Sequence, residues 1–409
     1  MTDTDILIIG AGASGMAAAA EAAETCPGVR VLILERSERP GRKILVTGNG
    51  RCNLSNESIN LSDYNTGAEA FSAVMDRFGD DIRFFRRLGL VTRSDGEGRV
   101  YPYSGQAASV LDALRFRVSA SGAETVCSAE VTGVYPEDGA FIVTTADGRE
   151  FRSEKVIVAA GSPAGAHGSR NAELISSIAA DGQAFRDFSP ALVPLKIRGL
   201  PAQLKGVRVR AKASLRSSDG REDSETGEVQ FGDGYVSGIC ILDLSRRYPG
   251  GDAELSLDLC PDMESEEISE VISEVIVSRP GSDASTVLSG LVPKTVGEVI
   301  LKECCNDLFK RKTGSLTPEE TESITRLIKR FGLKVAQKDG FRNAQVCSGG
   351  FRGINGETME SLSCTGLYFC GEIVDVDGRC GGFNLHWAWA SGRAAGAAAD
   401  ESLGKAGRT

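Results

Sequence analysis

The chain has 409 residues, enough for two or three domains, with 41% hydrophobic and 25% charged residues, as in ordinary globular proteins. A net charge of −10 argues against a broad nucleic-acid surface, and no apolar run is long enough to span a membrane. Eleven cysteines without a regular framework indicate reduced thiols, and two histidines exclude a histidine-rich metal site. We therefore expect a cytoplasmic protein without nucleic-acid, membrane or metal partners, whose oligomeric state stays open.

The start of the chain predicts a strand, a tight turn and a helix. The apolar residues 6–9 lead into Gly10-Ala-Gly12-Ala13-Ser14-Gly15, and an Ala-rich segment follows at residues 16–24. In such a motif the first glycine makes the turn, the second admits a pyrophosphate and the third lets helix and strand pack closely. The helix N-terminus, with Ala13 and Ser14, offers N–H groups to a phosphate.

An acidic residue in the right place strengthens the nucleotide-site prediction. A second strand is predicted at residues 29–34, and it leads into Glu35 and Arg36, with Glu35 twenty residues beyond Gly15. A carboxylate at this spacing accepts hydrogen bonds from a ribose 2′-hydroxyl, which argues against a 2′-phosphate. This pattern alone leaves FAD and NAD both open.

A Gly-, Arg- and Lys-rich loop follows, with the sequence GRKILVTGNGRCN at residues 41–53. Its cations can neutralise a diphosphate, and its glycines permit close approach to a flat ring. The alternative is a solvated basic loop. The cofactor-binding candidates in this loop are Arg42, Lys43, Gly48, Asn49, Gly50, Arg51, Cys52 and Asn53. We expect Cys52 to be a packed thiol rather than a nucleophile.

The next hundred residues alternate between helical and strand patterns. Apolar spacing predicts helices at residues 71–88 and 107–120. Residues 123–151 alternate like a small antiparallel unit, and residues 155–161 form a buried strand that ends in Ala-Gly. We expect Val131, Ala160 and Gly161 to line the cofactor site as well.

The region from about residue 190 to 340 has a different character and contains no nucleotide motif. Strands are predicted at residues 193–197, 207–215, 228–231 and 253–259, and helices at residues 263–277, 294–308 and 318–331. Asp262 is predicted to cap the first of these helices, and Pro318 to begin the last. We interpret the region as an insert that covers the cofactor and shapes a substrate pocket.

The C-terminal part returns to the pattern of the opening. A strand at residues 366–372 ends in Gly371-Glu372 and precedes a helix rich in small residues. Ala388, Gly392 and Gly396 share one face of this helix and predict close packing against residues 17–20. Further cofactor-binding candidates are Gly371, Glu372, Asp377, Gly381, Gly382, Phe383 and Asn384.

The pairing of the two ends favours FAD over NAD. Reduction of a flavin places negative charge on one edge of its ring, and N–H groups at a helix N-terminus stabilise that charge. The glycines at positions 381 and 382 would supply such groups. A dehydrogenase that binds only NAD has no need of this second clamp.

The chain resembles the BaiN-like bacterial FAD-dependent oxidoreductases, the family that includes aminoacetone oxidase and dehydro-bile-acid reductase. The matching blocks cover nearly the whole chain and include residues 10–15, 41–53, 190–195, 358–361, 371–378 and 381–389. The resemblance implies an α/β fold with a Rossmann-like, glutathione-reductase-like FAD domain and an inserted β-barrel-like and helical region. It implies FAD-domain segments at 1–189 and 341–409, an insert at 190–340, and FAD bound non-covalently.

Two stretches and one single residue depart from the family pattern. The stretches at residues 161–170 and 231–235 differ from the usual glycine-rich and Phe-Thr-His segments, and His386 stands where glutamine is common. The resemblance therefore does not fix the substrate. We expect His386 to be a packed or surface residue rather than a catalytic one.

The leading functional hypothesis is hydride transfer between FAD and a small organic substrate. An NADH- or NADPH-linked reductase of an activated C=C bond, of the enone or steroid kind, and an amine or ketoamine oxidase both fit. In a reductase, Tyr101 is the candidate proton donor, ahead of Tyr103, although a structural tyrosine is the commoner case. The alternatives are a flavin monooxygenase and a non-catalytic flavin-binding protein.

Overall fold

The computed structural model describes residues 2–25, 28–165 and 171–406. These residues divide into two compact units, one formed by residues 1–189 and 346–409 and the other by residues 190–345. The second unit thus ends five residues after the end of the predicted insert. Part of the divergent 161–170 stretch, residues 166–170, lies outside the described residues.

The described residues contain both strands and α-helices. The strands are β1 Thr2–Ile9, β2 Val31–Leu34, β3 Ser55–Asn56, β4 Thr92–Ser94, β5 Arg99–Pro102, β6 Glu124–Val126, β7 Val131–Glu137, β8 Ala140–Thr145, β9 Glu150–Val158, β10 Phe185–Ala191, β11 Leu195–Arg198, β12 Arg208–Ser217, β13 Glu222–Phe231, β14 Tyr235–Ser237, β15 Ala253–Asp258, β16 Phe331–Lys338, β17 Val346–Phe351 and β18 Leu367–Phe369. The α-helices are α1 Ala13–Thr25, α2 Arg42–Val46, α3 Ser72–Phe78, α4 Asp81–Arg87, α5 Ala107–Ala120, α6 Ala172–Ala180, α7 Ile239–Arg247, α8 Ser265–Ser278, α9 Lys294–Cys304, α10 Pro318–Lys329 and α11 Phe383–Ala406.

The first unit is built on a seven-stranded sheet. Its strand order is β6-β2-β1-β9-β8-β7, and β18 also pairs with β9. β1 is parallel to both β2 and β9, and β18 is parallel to β9. The strands β1 and β2 are buried along most of their length, as expected for parallel strands covered on both faces. The carboxyl ends of these strands therefore meet at one edge, where the glycine motif and Gly371-Glu372 follow them.

One predicted helix is two helices in the structure. The periodicity over residues 71–88 continues through a break between α3 and α4, at Gly79 and Asp80. A Cβ atom at Gly79 would lie 2.2 Å from the carbonyl oxygen of Met75, and the Asp80 carboxylate accepts a hydrogen bond from the Arg83 N–H at 2.9 Å. The prediction of one helix was wrong because Gly-Asp is both a helix stop and an N-cap.

The predicted antiparallel unit over residues 123–151 is divided. β7, β8 and β9 pair antiparallel, whereas β6 pairs parallel with β2 and extends the main sheet. The short alternating segment at β6 would have the same sequence pattern in a parallel or an antiparallel pair. Its partner strand is therefore decided by tertiary structure.

The two Ala- and Gly-rich helices of the first unit pack closely, as predicted. A Cβ atom at Gly392 would lie 2.3 Å from the carbonyl oxygen of Ser14, and one at Gly396 would lie 2.2 Å from that of Ala18. The backbones of α1 and α11 approach each other where these glycines face them. This contact places the N-termini of both helices in the same unit.

The second unit contains a closed six-stranded barrel. Its order is β11-β14-β13-β12-β15-β16, and β12 and β13 form its longest antiparallel pair. Buried aliphatic and aromatic side chains such as Leu255, Phe231 and Phe331 form a core separate from that of the first unit. The predicted inserted barrel with helices is therefore present, and the fold class is confirmed.

Sequence reasoning missed three elements of this unit and misplaced one cap. It did not predict α7, β14 or β16. The N-cap of α8 is Glu264, and Asp262 instead pairs with Arg210. Helix α10 begins at Pro318, as predicted, and Thr317 forms a capping box with Glu320 ahead of it. Within the described ranges, no helix is both long and apolar enough to cross a membrane.

Candidate cofactor site

The glycine motif forms a tight turn between β1 and α1. Gly10 has φ +104°, and a Cβ atom at Gly15 would lie 1.9 Å from the Gly10 carbonyl oxygen. A Cβ atom at Gly12, by contrast, would meet no atom within 4 Å. Gly10 and Gly15 are thus required by the protein's own packing. Gly12 borders open space at the N-terminus of α1, where a phosphate group fits.

Glu35 is held beside this turn. One of its carboxylate oxygens accepts a hydrogen bond from the Ala11 N–H at 2.9 Å, and the other accepts from the Ser37 N–H at 2.8 Å. Each carboxylate oxygen can accept more than one hydrogen bond. The carboxylate is therefore oriented by the backbone and keeps acceptor capacity for ribose hydroxyls.

The loop after α2 has an unusual backbone. Gly48, Asn49, Gly50 and Cys52 have φ values of 54°, 54°, 80° and 58°, all in the left-handed region. Two of these residues are not glycine, and such conformations persist only where the surroundings enforce them. A Cβ atom at Gly48 would lie 2.7 Å from the Asn53 backbone nitrogen. The loop is thus folded back tightly on itself, with Arg42 and Lys43 in the short helix before it.

Cys52 and Asn53 end this loop inside the protein. Cys52 is fully buried, and burial raises the pKa of its thiol to about 11, which makes it a poor nucleophile. The side-chain oxygen of Asn53 is buried without a hydrogen-bond partner among the described residues. A Cβ atom at Gly382 would lie 3.0 Å from this oxygen. An acceptor in this condition suits a ligand N–H group.

Lys43 and Glu372 form an ion pair, which the sequence did not predict. Their side chains are 3.2 Å apart, and the Glu372 carboxylate also accepts from the Cys347 N–H at 3.2 Å. Beside them, Gly371 has φ +73°, and a Cβ atom there would lie 2.4 Å from the Ser14 hydroxyl oxygen. The pair brings the basic loop, the C-terminal strand end and the N-terminus of α1 together.

The N-terminus of α11 meets the segment that follows the basic loop. Gly381 and Gly382 have φ +125° and +105°, and the Asn56 amide donates to the Gly381 carbonyl oxygen at 3.0 Å. A Cβ atom at Gly382 would lie 2.2 Å from the Ser55 carbonyl oxygen. The two blocks predicted to bind a flavin ring are therefore neighbours in the structure.

Phe383 and Asn384 support this helix start by different contacts. The Tyr64 hydroxyl donates to the Phe383 carbonyl oxygen at 2.9 Å, and the two rings are in edge contact. The Asn384 side chain accepts from the Gly378 N–H at 2.8 Å and donates to the Gly378 carbonyl oxygen at 2.9 Å, so it closes the loop before the helix. The buried Asp377 lies in that loop.

The other predicted cofactor residues lie at two places along the sheet edge. A Cβ atom at Gly10 would lie 3.3 Å from the Ala160 Cα atom, which places Ala160 and Gly161 against the glycine turn. Arg36 directly follows Glu35, and Val131 begins β7 at the end of the sheet order.

Three supporting residues escaped sequence reasoning. Asn56 and Tyr64 bind the start of α11, and the Ser391 hydroxyl accepts from the Gly371 N–H at 2.9 Å. Asn56 and Tyr64 are separated from their partners by more than 300 residues, and no local pattern marks such contacts. The Ser391 hydroxyl also donates to the Trp387 carbonyl oxygen at 2.6 Å. The four-residue spacing of these two residues is the one local signal here, because it places them on the same helix face.

The residues fit an FAD molecule. Gly12 borders open space at a helix N-terminus, and the unpartnered oxygen of Asn53 lies beside the glycines that begin α11. The first feature suits a diphosphate and the second a flavin ring.

Comparison with known proteins identifies the family of this chain. The family model described as the HI0933-like protein Rossmann domain matches residues 4–398. The chain belongs to this family. The predicted recognition of the family is thereby confirmed, as is the prediction of a flavoprotein oxidoreductase, and the Rossmann-type family supports FAD as its cofactor.

Among the relatives of this chain, two match it over nearly their whole lengths. It is 37% identical to the 3-dehydro-bile acid delta(4,6)-reductase of Clostridium scindens, across 96% of this chain and 98% of the relative. It is 26% identical to the ribosomal RNA dihydrouridine synthase of Escherichia coli, across 95% and 96%. Among solved structures, a quinol-fumarate reductase is similar with a TM-score of 0.52 and 13% identity, across 99% of this chain and 72% of that one. This last likeness concerns the fold.

Tyr101 is buried on β5, and the Arg51 guanidinium lies 4.7 Å from the centre of its ring. Arg51 belongs to the basic loop, so Tyr101 borders that loop. Tyr103 is 65% exposed, and the Arg93 guanidinium lies 5.6 Å from its ring centre. The two candidate proton donors thus differ in the structure: Tyr101 is buried beside the basic loop, and Tyr103 is exposed.

Proposed function

We propose that this protein is an FAD-dependent reductase of a C=C bond conjugated to a carbonyl group, with NADH or NADPH as diffusible electron donor. The substrate class is enone-like or steroid-like. The observation that carries the proposal is the 37% identity, over nearly the whole of both chains, to a reductase named for a dehydro-bile acid. The contacts between the glycine turn, the basic loop and the start of α11 support the cofactor.

In this proposal different residues of the first unit bind different parts of the cofactor. Gly12, Ala13 and Ser14 would face the diphosphate, and Glu35 the ribose. The left-handed loop over residues 48–52 and the glycines that begin α11 would face the flavin ring. Bound FAD supplies hydride transfer, while the protein orients the ring and excludes water from it.

The relatives favour the reductase over the oxidase alternative. One is named for reduction of a dehydro-bile acid and another for synthesis of dihydrouridine, which is uridine with a reduced C=C bond next to a carbonyl group. An activated C=C bond is common to the two printed names. Reduction of such a bond needs a hydride at one carbon and a proton at the other.

Tyr101 remains the proposed proton donor. Its buried ring beneath Arg51 places its phenol beside the basic loop, whereas Tyr103 is exposed. Tyr101→Phe keeps the ring that Arg51 covers and removes the hydroxyl group. We expect it to slow turnover about 100-fold while FAD remains bound, because general acid catalysis contributes about 10²–10⁴-fold. Tyr103→Phe is the matched control, and equal rates in the two variants would remove Tyr101 from this role.

The test of the function is anaerobic. The purified protein is reconstituted with FAD, bleached with NADH or NADPH, and offered a Δ4-3-ketosteroid or its saturated analogue. Recolouring by the unsaturated ketone alone supports the proposal. A protein that NAD(P)H does not bleach lacks the proposed donor, and one that no enone reoxidises is not this reductase. A long-lived peroxide adduct in oxygenated buffer would indicate the monooxygenase alternative instead.

The second candidate function is reduction of uridine in RNA. The similarity to the dihydrouridine synthase of Escherichia coli over 95% of the chain favours it, although the identity is 26%. The net charge of −10 opposes it, since RNA binding draws on cationic surface. Mass spectrometry of ribosomal RNA after incubation with the FAD-loaded protein and NADPH distinguishes the two. New dihydrouridine without enone turnover would select the RNA function.

A further inference from the structure

A buried acid–base pair lies in the first unit outside the predicted cofactor contacts. The Nδ1 atom of His386 is 2.7 Å from an Asp81 carboxylate oxygen, and the two side chains are 4% and 1% exposed. The Ser55 hydroxyl donates to the same carboxylate oxygen at 2.7 Å. The Asp81 carboxylate oxygen can accept from both the Ser55 hydroxyl and the His386 Nδ1–H group. Asp81 therefore orients the imidazole ring, and Nε2 is the ring nitrogen that gains or loses a proton.

The pair lies directly behind the start of α11. The His386 N–H donates to the Gly382 carbonyl oxygen at 3.0 Å, so the two residues are one helical turn, about 6 Å, apart along the axis. The Ser55 side chain donates a hydrogen bond to Asp81. The backbone carbonyl oxygen of Ser55 packs tightly against Gly382. The pair is thereby connected to both segments proposed to face the flavin ring.

Other charged and titratable groups surround the pair. Arg393 on α11 acts on Asp81 and donates to the Glu21 carboxylate of α1 at 3.1 Å. Burial raises the pKa of Asp81, while His386, Ser55 and Arg393 oppose that rise. Burial, together with the nearby Asp81, also raises the pKa of Tyr64, so its phenol stays protonated. Among these groups, histidine is the type that can exchange a proton at one ring nitrogen while the other stays hydrogen-bonded.

We propose that Asp81 and His386 form a proton-holding pair that responds to the charge of the bound cofactor. A hydride brings two electrons and one proton to the site and leaves one added negative charge there. His386 then takes one proton from solvent at Nε2, while its Nδ1–H remains hydrogen-bonded to Asp81. The uptake restores the net charge behind the N-terminus of α11. This role rests on the proposed FAD site, and His386 acts as a positioning residue rather than a catalytic one.

The first test is NMR of the FAD-loaded protein labelled with ¹⁵N-histidine. The chain has two histidines, and His167→Gln assigns their signals. The imidazole titration is recorded with oxidised FAD and after anaerobic reduction by dithionite. We expect reduction to raise the proton affinity of His386 on the order of tenfold, because a new negative charge at the proposed site would favour the protonated imidazole. An unchanged His386 titration overturns the proposal.

The second test measures the reduction potential of bound FAD against pH. In the wild type, the reduction equilibrium should be about tenfold more favourable below the pH range in which His386 titrates than above it, because by linkage this total factor equals the expected change in proton affinity. His386→Gln keeps an amide donor for Asp81 but holds no titrating proton, so this component should vanish. His167→Gln is the control and should retain it. A His386→Gln protein with the full wild-type pH dependence overturns the proposal.

The outcomes separate this inference from the proposed function. A reconstituted protein without flavin absorbance overturns the FAD proposal and this role with it. Bound FAD together with an unresponsive His386 overturns only the role of the pair. If His386→Gln does not fold, the NMR experiment on the unmodified pair still decides the question.

Discussion

Gly396 of α11 lies against Ala18 of α1 so closely that a Cβ atom at Gly396 would be 2.2 Å from the Ala18 carbonyl oxygen. The obstacle is backbone, which cannot rotate away as a flexible side chain can. Gly396→Ala should therefore destabilise the protein by about 1–3 kcal/mol through overpacking. Thermal unfolding of the FAD-free protein should show a midpoint lower by several degrees.

The control for this variant is Gly96→Ala. A Cβ atom at Gly96 would meet nothing within 4 Å, and its φ is not positive. We expect its unfolding midpoint to match that of the wild type. If both variants unfold at the wild-type temperature, the helix contact is looser than the structure indicates.

Gly12→Ala should separate cofactor binding from folding. The added methyl group would meet no protein atom within 4 Å, and so the FAD-free protein should keep its wild-type unfolding midpoint. The methyl group would occupy space where the diphosphate approaches, and we expect the dissociation constant for FAD to rise at least about tenfold, or roughly 1.4 kcal/mol. Quenching of FAD fluorescence measures the constant. Wild-type affinity in this variant would remove Gly12 from the proposed site.

Cys52 should be chemically inert in the folded protein. Burial raises its pKa to about 11, so at pH 8 only about one thiol in a thousand is ionised. Cys305 is exposed and serves as the internal comparison. After brief treatment with iodoacetamide at pH 8, mass spectrometry should find Cys305 modified and Cys52 unmodified. Denaturant should remove the difference, and rapid modification of Cys52 without denaturant would contradict its burial.

The ion pair between Asp5 and Arg30 predicts a pH-dependent contribution to stability. The hydrogen bonds from Arg30 lower the pKa of Asp5, although burial acts in the opposite direction. The stabilisation should therefore be present above the unfolded-state pKa of about 3.9 and disappear as pH falls through the lower folded-state pKa.

Asp5→Asn tests this prediction. Because Arg30 is 63% exposed, we expect a loss of only about 0.5–1 kcal/mol at pH 6 and a clearly smaller loss near pH 2.5. Urea unfolding at the two pH values measures the difference, and the exposed Asp76→Asn is the control. A loss of the same size at both pH values would show that the contact does not depend on the charge of Asp5.

Local sequence was sufficient where one segment carries its own structural signal. The β1–α1–β2 unit follows from an apolar run, a glycine turn and a second apolar run, and α5 follows from helical spacing over residues 107–120. The capping box at Thr317 is also local, because all its partners lie within four residues. The same approach mistook α3 and α4 for one helix, since apolar spacing continued across Gly79.

The sequence alone determined the βαβ unit with its glycine turn, because glycine turns and hydrophobic periods are local signals. Its resemblance to a known family implied the glutathione-reductase-like FAD domain and the inserted barrel. Tertiary structure alone decided that Lys43 pairs with Glu372, that Asn53 lies beside Gly382, and that His386 meets Asp81. Each of these contacts joins residues about 300 positions apart. Their side chains meet because parallel strands end at one sheet edge and because α1 and α11 pack through glycines, and no pattern within either segment encodes that meeting.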